Sequence, residues 1–272
     1  MDMDAILREG LPRLGPEADE TALGRLRRYA GLLAEANRVM NLTAIEGEEE
    51  VARLHFLDCA ALLALPEFAG RTLLDVGSGA GFPGLVLKIL RPELDVTLLD
   101  SLDKRVGFLR DTGEALGLEG LTCLHGRAEE ASALREGFEL VTSRAVAKLG
   151  VLCELCLPCV KPGGAFLAMK GPEPEAELEE AARAIRLLGG EAERVAFYTI
   201  PGTEITHSVV IVRKKTPTPP QYPRRWAQIK KTALCEKKPL CSHRAVFSMR
   251  SSGFGIAGRA SPAPTKRDVR LL

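Results

Sequence analysis

The sequence has no long apolar run, and we expect neither a membrane span nor a secretory leader. No apolar stretch reaches the roughly 18 residues that a bilayer-spanning helix needs. The first residues, Met1-Asp2-Met3-Asp4, are acidic, whereas a signal peptide begins with basic residues followed by an apolar core. We therefore predict a cytoplasmic protein that has no membrane partner.

The sequence also lacks a disulfide pattern and internal repeats. Its cysteines are seven in number, scattered over 272 residues, which favours a reducing compartment over a disulfide framework. Apolar residues make up 46% of the chain and charged residues 27%, a globular composition that excludes wholesale disorder. The length allows one sizeable α/β domain with accessory pieces.

Acidic residues are almost absent from the C-terminal part of the chain. Residues 214–272 contain 14 Lys and Arg but only Glu236 and Asp268, a net charge of +12. The first 213 residues contain 23 basic and 34 acidic residues, a net charge of −11. A basic end on an acidic body indicates a polyanionic partner, with a solvated tail as the alternative.

The residue patterns divide the chain into four regions. Helical periodicity over residues 21–40 and 48–65, which Pro66 ends, predicts an N-terminal helical cap spanning residues 1–66. Residues 216–234 form a basic, proline-rich segment, in which residues 216–220 are typical of a stiff polyproline linker. Periodicity is lost from residue 235, so we expect residues 235–272 to be disordered.

Residues 67–215 show strand patterns that alternate with helix patterns, which predicts a parallel sheet covered on both faces. The last two strands, 193–200 and 204–212, are separated only by Pro201-Gly202-Thr203, a connection suited to an antiparallel hairpin. We predict an α/β fold with a doubly wound, mostly parallel seven-stranded sheet. The other predicted elements are strands 72–76, 96–100, 121–125, 138–143 and 165–169 and helices 83–90, 104–116, 148–157 and 174–188.

A glycine-rich turn follows the first predicted strand and opens a helix. There, backbone N–H groups collect, and glycines let the chain pass close to a ligand. The spacing Gly79-x-Gly81-x-x-Gly84 matches the dinucleotide fingerprint, and Asp100 ends the next strand, where it can accept hydrogen bonds from a ribose. The turn alone therefore leaves two cofactors open, a nicotinamide dinucleotide and S-adenosylmethionine.

Three observations favour S-adenosylmethionine. The glycines begin at Gly77, two residues before the dinucleotide frame. Asp75 ends the strand just before the turn, where a carboxylate can face the cationic methionine end of the cofactor. The closing hairpin is typical of class I, Rossmann-like methyltransferases, although this is an analogy between folds. We therefore predict a methyltransferase and keep a dehydrogenase as the alternative.

The residues after the fourth strand narrow the chemistry. They are Ser143-Arg144-Ala145-Val146-Ala147, which contain neither the Asn/Asp-Pro-Pro-aromatic turn expected for amine methylation nor a nucleophilic cysteine.

Residues 126–129, at the end of the third strand, lie where an adenine edge is read in such sheets; the alternative is an ordinary first turn of a helix.

Several motifs, taken in order, resemble the bacterial glucose-inhibited division protein B family, whose members are 16S ribosomal RNA methyltransferases that modify ring nitrogen 7 of a guanine. The resemblance covers about residues 5–234, and nothing matches beyond Cys235. The motifs are Asn41-Leu42-Thr43, His55-Phe56-Leu57-Asp58, residues 73–84, Ser143-Arg144-Ala145, Met169-Lys170-Gly171 and Tyr222-Pro223-Arg224-Arg225.

The resemblance implies S-adenosylmethionine as cofactor, no metal, and a monomer that acts on 16S ribosomal RNA or the small ribosomal subunit. Two alternatives remain: a small-molecule or protein methyltransferase, and a non-catalytic RNA-binding assembly factor. The implied catalytic residues are Arg144, Asn41, His55 and Asp58. The implied cofactor-binding residues are Asp75, Gly77, Ser78, Gly79, Phe82, Asp100, Ser101, Leu102, Ala128, Glu129 and Arg144.

Two groups of residues keep a structural alternative. His55 and Asp58 are three positions apart, so they are either a packed His–Asp pair or a wall of the guanine pocket; Asn41 is equally open. The string Cys153-x-x-Cys156-x-x-Cys159 resembles a metal motif, but helix packing explains it better because no fourth ligand has suitable spacing. The predicted RNA-binding residues, with Trp226 available for stacking, are Lys170, Arg224, Arg225, Lys230 and Lys231.

Overall fold

A computed structural model describes residues 2–17 and 19–234; the predicted disordered tail lies outside these residues. Within them, seven strands form one sheet in the order β3-β2-β1-β4-β5-β7-β6. The first five strands are parallel, while β7 runs antiparallel between β5 and β6. The predicted fold class is confirmed. The strands are β1 Thr72–Val76, β2 Asp95–Asp100, β3 Leu121–His125, β4 Phe138–Arg144, β5 Val160–Lys170, β6 Gly190–Thr199 and β7 Thr206–Lys214.

Helices cover both faces of the sheet. Neighbouring strand residues such as Leu73 and Leu74 point to opposite faces and enter separate apolar cores. None of the helices in the described ranges is long and apolar enough to cross a membrane. The helices are α1 Met3–Gly10, α2 Glu20–Met40, α3 Glu48–Glu50, α4 Asp58–Ala60, α5 Gly84–Leu90, α6 Asp103–Leu116, α7 Leu149–Cys156, α8 Glu175–Leu187 and α9 Trp226–Lys231.

The N-terminal helices share a core with the sheet. Asp2 and Asp19 cap α1 and α2 by accepting hydrogen bonds from the backbone N–H groups of Ala5 and Ala22. Buried residues of these helices pack in the same apolar core as β1, β2 and α5. The predicted border at residue 66 therefore marks where the chain enters the sheet, while the core is continuous across it.

The predicted second helix is not a regular α-helix. Between α3 and α4 the chain forms a π-helix over Val51–Leu57, and a 3-10 turn over Ala61–Ala64 follows α4. Such wider turns occur frequently at functional sites. Here the π-helix carries His55 and leads directly into Asp58, and both side chains are buried against the carboxyl end of the sheet.

The predicted polyproline linker is packed against the body of the protein. Thr218 is buried, and its hydroxyl accepts a hydrogen bond from Lys214 Nζ at 2.5 Å and donates to the carbonyl of Leu188 at 2.8 Å. Arg135 donates to the carbonyls of Thr218 and Tyr222. Residues 216–220, predicted as a stiff polyproline linker, therefore lie against the domain, where buried polar groups hold the segment in place.

Candidate active site

The glycine turn connects β1 to α5 and is held by the backbone of β2. Gly77 and Ser78 donate to the carbonyl of Leu99 at 2.8 and 3.2 Å. Gly77 has φ +74°, and a Cβ there would lie 2.6 Å from a methyl of Val146. Only glycine takes this conformation without strain, and only without a Cβ can the turn pack this closely against Val146, which follows β4.

Asp75 is fully buried below the turn. Its Oδ2 accepts a hydrogen bond from the backbone N–H of Gly84 at 2.9 Å, whereas its Oδ1 is buried without a hydrogen-bond partner in the described structure. Burial raises the pKa of Asp75 to about 7, against the opposing effect of the Gly84 hydrogen bond. An orphaned carboxylate oxygen of this kind calls for a donor or a cation.

Asp100 links the turn to the end of β2. Its Oδ2 accepts from the backbone N–H of Gly79 at 2.9 Å, and its Oδ1 accepts from that of Leu102 at 2.9 Å. Arg105 lies 3.7 Å from the same carboxylate. The carboxylate is therefore aimed along the turn, where a ribose would lie. Leu102 is half exposed at 52% and offers an apolar surface beside Ser101.

A third polar group, after those of Asp75 and Asp100, follows the end of β3. Arg127 Nε donates to Glu129 Oε1 at 2.7 Å, and the Glu129 side chain is almost buried. The guanidinium of Arg127 lies 5.3 Å from the centroid of the Trp226 ring, within the range of a cation–π contact. Glu129 and the neighbouring Ala128 follow β3, which pairs with β2 at the edge that carries Asp100; their role beside an adenine stays a prediction.

These residues fit S-adenosylmethionine on three grounds. Gly77 has φ +74° and packs against Val146 without a Cβ, so its backbone lies close to the edge where a cofactor would bind. The free oxygen of Asp75 can receive the cationic methionine end, and Asp100 and Glu129 can accept hydrogen bonds from the ribose and the adenine amine. The donor and acceptor set therefore matches the predicted cofactor in the order in which its parts would lie along the sheet edge.

Arg144 is the centre of a polar cluster at the end of β4. One terminal nitrogen donates to Asp58 Oδ2 at 2.9 Å and to the carbonyl of Leu54 at 3.3 Å. The other lies 2.9 Å from His55 Nδ1. The guanidinium carbon lies 4.8 Å from the centroid of Phe82, on which the His55 ring stacks at 4.2 Å. His55 and Asp58 are therefore joined through Arg144.

Asp58 receives two further donors from the closing hairpin. Its Oδ1 accepts from the Tyr198 hydroxyl at 2.8 Å and from His207 Nδ1 at 2.7 Å. Burial opposes the ionisation of Asp58, but the hydrogen bond from His207, the charge of Arg144 and the hydrogen bond from Tyr198 together lower its pKa. The hydrogen bond to Asp58 in turn raises the pKa of His207.

His55 is a neutral acceptor for Arg144. Burial and the nearby guanidinium of Arg144 lower the pKa of His55 to about 4, so the imidazole is uncharged near pH 7. Its Nε2 is 2.8 Å from the hydroxyl of Thr43, and Asn37 holds the backbone of Thr43 through two hydrogen bonds of 2.9 Å. This arrangement fixes the ring so that Nδ1 accepts from Arg144 while Nε2–H donates to Thr43.

Asn41 lies outside this cluster. It is exposed, has φ +49° and ends α2 by donating its N–H to the carbonyl of Asn37 at 3.3 Å. Asparagine tolerates the left-handed conformation better than most residues, which explains this residue type at a helix end. Its predicted catalytic role stays a prediction.

The predicted RNA-binding residues are in three different settings. Lys170 is largely buried and donates to Glu177 at 2.7 Å and to the carbonyl of Ala147 at 2.9 Å. Arg224 makes a bidentate pair with the buried Glu154 at 2.7 and 2.6 Å. In contrast, Arg225, Lys230 and Lys231 are exposed on or beside α9.

The three cysteines of the string lie in a packed apolar core. Cys153, Cys156 and Cys159 are buried in the apolar core on the α7 side of the sheet. Burial raises the pKa of Cys156 well above its ordinary value and that of Cys159 to about 12. These thiols are therefore packing groups of the core.

Sequence reasoning missed four residues that belong to these polar clusters. Tyr198 and His207 gave no local signal, because their partner Asp58 lies 140 and 149 positions away. Glu154 did give one, since it is a charged residue inside an apolar run, and a buried charge requires a partner. Lys214 gave none, because it lies between the basic residues Arg213 and Lys215.

The sheet order and the glycine turn define a class I, Rossmann-like methyltransferase fold. A family model described as rRNA small subunit methyltransferase G matches residues 22–206, and the chain belongs to this family. A relative from Alkaliphilus metalliredigens, named ribosomal RNA small subunit methyltransferase G, is 45% identical over 231 residues, which cover 83% of this chain and 96% of that protein.

A second relative supports this assignment. A protein of the same name from Clostridium beijerinckii is 46% identical over 210 residues, covering 76% of this chain and 88% of that one. A solved structure of a SAM-dependent methyltransferase from Aquifex aeolicus is 19% identical, with a TM-score of 0.43 and coverage of 60% of this chain and 92% of that chain. That identity is too low to indicate a shared substrate.

Proposed function

We propose that this protein transfers a methyl group from S-adenosylmethionine to ring nitrogen 7 of a guanine in 16S ribosomal RNA. The observation that carries the proposal is the position of the Arg144 cluster. The cluster lies at the end of β4, which pairs with β1, the strand that leads into the glycine turn. The cluster and the turn therefore lie side by side at one edge of the sheet. Family membership supports the same activity.

The chemistry demands little from acid or base groups. Ring nitrogen 7 of guanine has an in-plane lone pair at neutral pH, so no base is needed to expose it. When bound, the cofactor supplies an electrophilic methyl on a sulfonium. The protein has to align the nitrogen with that methyl and exclude water, and alignment of this kind is worth about 7–11 kcal/mol.

Arg144 suits a role beside the guanine edge that leaves the nucleophile free. A donor to nitrogen 7 would occupy the attacking lone pair, whereas a donor to the neighbouring oxygen 6 would orient the base and leave the lone pair available. The Arg144 side chain is 16% exposed, and Asp58 and His55 hold its terminal nitrogens. Only a limited part of the guanidinium therefore faces the substrate.

The negative charge of Asp58 favours the positively charged product of the transfer. Positive charge moves onto the guanine during transfer, and fixed negative groups stabilise such charge where it develops. Asp58 is kept ionised by its donors. Because the deep major groove of paired RNA hides nitrogen 7, the target guanine has to lie in a loop or be splayed out.

The partner is 16S ribosomal RNA, free or within the small subunit, and the proposed enzyme works as a cytoplasmic monomer. Exposed Arg225, Lys230 and Lys231 would bind phosphates. Trp226 on the same helix contacts Arg127 at the end of β3, so RNA held there would approach the predicted adenine side of the site.

The proposal is tested by incubating the full chain with labelled S-adenosylmethionine and unmodified 16S ribosomal RNA or small subunits. Borohydride reduction followed by aniline then cuts the RNA at 7-methylguanosine. We expect stoichiometric label and one cut. Label on another atom, label on a protein or small molecule alone, or binding of RNA without transfer would each contradict the proposal.

A further inference from the structure

The closing hairpin of the sheet reaches into the active-site cluster. Tyr198 on β6 and His207 on β7 are directly paired across the two strands, so both side chains point to the same face of the sheet. That face carries the π-helix and Asp58. Both side chains donate to the same oxygen, Asp58 Oδ1, at 2.8 and 2.7 Å.

The two oxygens of Asp58 thus serve different elements. Oδ1 accepts the hydrogen bonds from the two hairpin side chains, while Oδ2 accepts one from the Arg144 guanidinium at 2.9 Å. The Asp58 side chain is only 3% exposed, so water does not replace a missing donor easily. A buried carboxylate with fewer donors is mispositioned and costly to keep ionised.

We propose that Tyr198 and His207 are positioning residues for methyl transfer, which hold the Asp58 carboxylate and, through it, the Arg144 guanidinium at the end of β4. This inference rests on the proposed function. It assigns the antiparallel hairpin a part in the reaction besides closing the sheet. The His207 ring can donate from Nδ1 whether it is neutral or protonated, so the contact persists through neutral pH.

The test measures kcat, RNA KM and the affinity for S-adenosylhomocysteine of His207→Ala, His207→Gln and Tyr198→Phe. We expect kcat to fall about tenfold for His207→Ala and about threefold for Tyr198→Phe, with cofactor affinity unchanged. His207→Gln keeps a donor and should recover part of the loss. Thr206→Ala is the matched control, because Thr206 lies on the same hairpin and contacts Thr199.

A pH profile separates positioning from plain stability. Asp58 is faced by Arg144, His207, Tyr198, His55 and Cys59. In the native protein the donors lower the pKa of Asp58. Without the hairpin donors, burial raises that pKa, so protonation begins at a higher pH as the solution is acidified. The acid limb of the activity profile should therefore move toward neutral pH in the Tyr198→Phe/His207→Ala double variant.

The outcomes are distinguishable from failure of the proposed function. If the native chain transfers no methyl to RNA, the proposed function fails. If the native chain is active and folded Tyr198→Phe and His207→Ala variants match its kcat and its acid limb, the positioning role is wrong. Tyr198→Phe retains the ring and its packing, so the test stands even if His207→Ala does not fold.

Discussion

Two buried ionic clusters in this protein have similar chemistry and different tasks. One joins Arg144 to Asp58, His55 and the hairpin at the carboxyl edge of the sheet. The other joins Arg224 to Glu154 beneath the C-terminal segment. Both consist of a guanidinium and a carboxylate that is nearly or fully removed from water.

The surroundings of each arginine separate the two tasks. The partners of Arg144 are residues of the candidate site, and its guanidinium also lies over Phe82 beside the glycine turn. The partners of Arg224 are Glu154 on α7 and the carbonyl of Thr232 after α9, which connect one helix to another. A buried ion pair therefore indicates function only when its neighbours also belong to a site.

The largest expected effect follows from removal of Arg144. Arg144→Ala leaves Asp58 buried without its cation and removes the group that we propose to face the guanine, so we expect the transfer rate per folded molecule to fall by about 100-fold or more. Unfolding experiments should also show a loss of about 3 kcal/mol.

Arg194→Ala is the matched control for that variant. Arg194 makes a bidentate pair with Glu67 at 2.7 and 2.6 Å and is away from the glycine turn. It should lower stability with little change in the rate per folded molecule. Equal loss of rate in both variants would show that the loss follows from breaking a buried ion pair and not from the candidate site.

The second expected effect concerns stability alone. Arg224→Ala leaves Glu154 fully buried without its guanidinium, and we expect the free energy of unfolding to fall by about 2–3 kcal/mol. The neighbouring Arg225 is exposed, so Arg225→Ala should leave stability unchanged and weaken RNA binding. Urea titration and RNA filter binding of the two variants measure both quantities. A reversed result would show that Arg224 is the RNA contact.

The third effect tests the glycine turn. Gly77→Ala forces a Cβ into the φ +74° conformation and against Val146, so we expect the affinity for S-adenosylhomocysteine to fall about tenfold. Gly107→Ala on α6 is the control, since a Cβ there meets nothing within 4 Å and alanine favours a helix. Calorimetric titration measures both; unchanged affinity in Gly77→Ala would argue against a ligand at the turn.

The smallest effect concerns the exposed cations of α9. Lys230→Ala/Lys231→Ala should reduce the salt dependence of RNA affinity, with the log–log slope smaller by about 1 for each cation removed. Lys161→Ala is the control, because Lys161 lies near the start of β5, at the edge of the sheet opposite the site. An unchanged slope in the double variant would place the RNA elsewhere.

Local patterns were enough to predict the sheet and the turn. Strands β1 and β3 begin and end where the alternation of apolar runs places them, and the glycines of the turn carry their own signal. The π-helix over Val51–Leu57 could not be predicted, because its apolar stripe also fits an ordinary helix. The hydrogen bonds from Tyr198 and His207 depend on how the hairpin packs against Asp58, which no local pattern encodes.

The roles of the charged residues depend on contacts that the sequence does not encode. Arg144 and Arg224 both lie in motifs that resemble the family, yet only burial and partners separate a group of the candidate site from one that joins two helices. Lys214 shows the same difficulty: it lies in the basic C-terminal region, but it is fully buried and holds Thr218. A charged residue in a sequence indicates that it has a partner, but it does not show whether that partner lies inside or outside the protein.

The identity of the cofactor that binds at the edge formed by Gly77, Asp75 and Asp100 decides the function of this protein. Calorimetry of the full chain with S-adenosylhomocysteine and, in parallel, with NAD tests this directly. We predict saturable binding of S-adenosylhomocysteine at one site per chain and no heat with NAD. Binding of NAD, or no uptake of S-adenosylhomocysteine by folded protein, would contradict the assignment of this edge to methyl transfer.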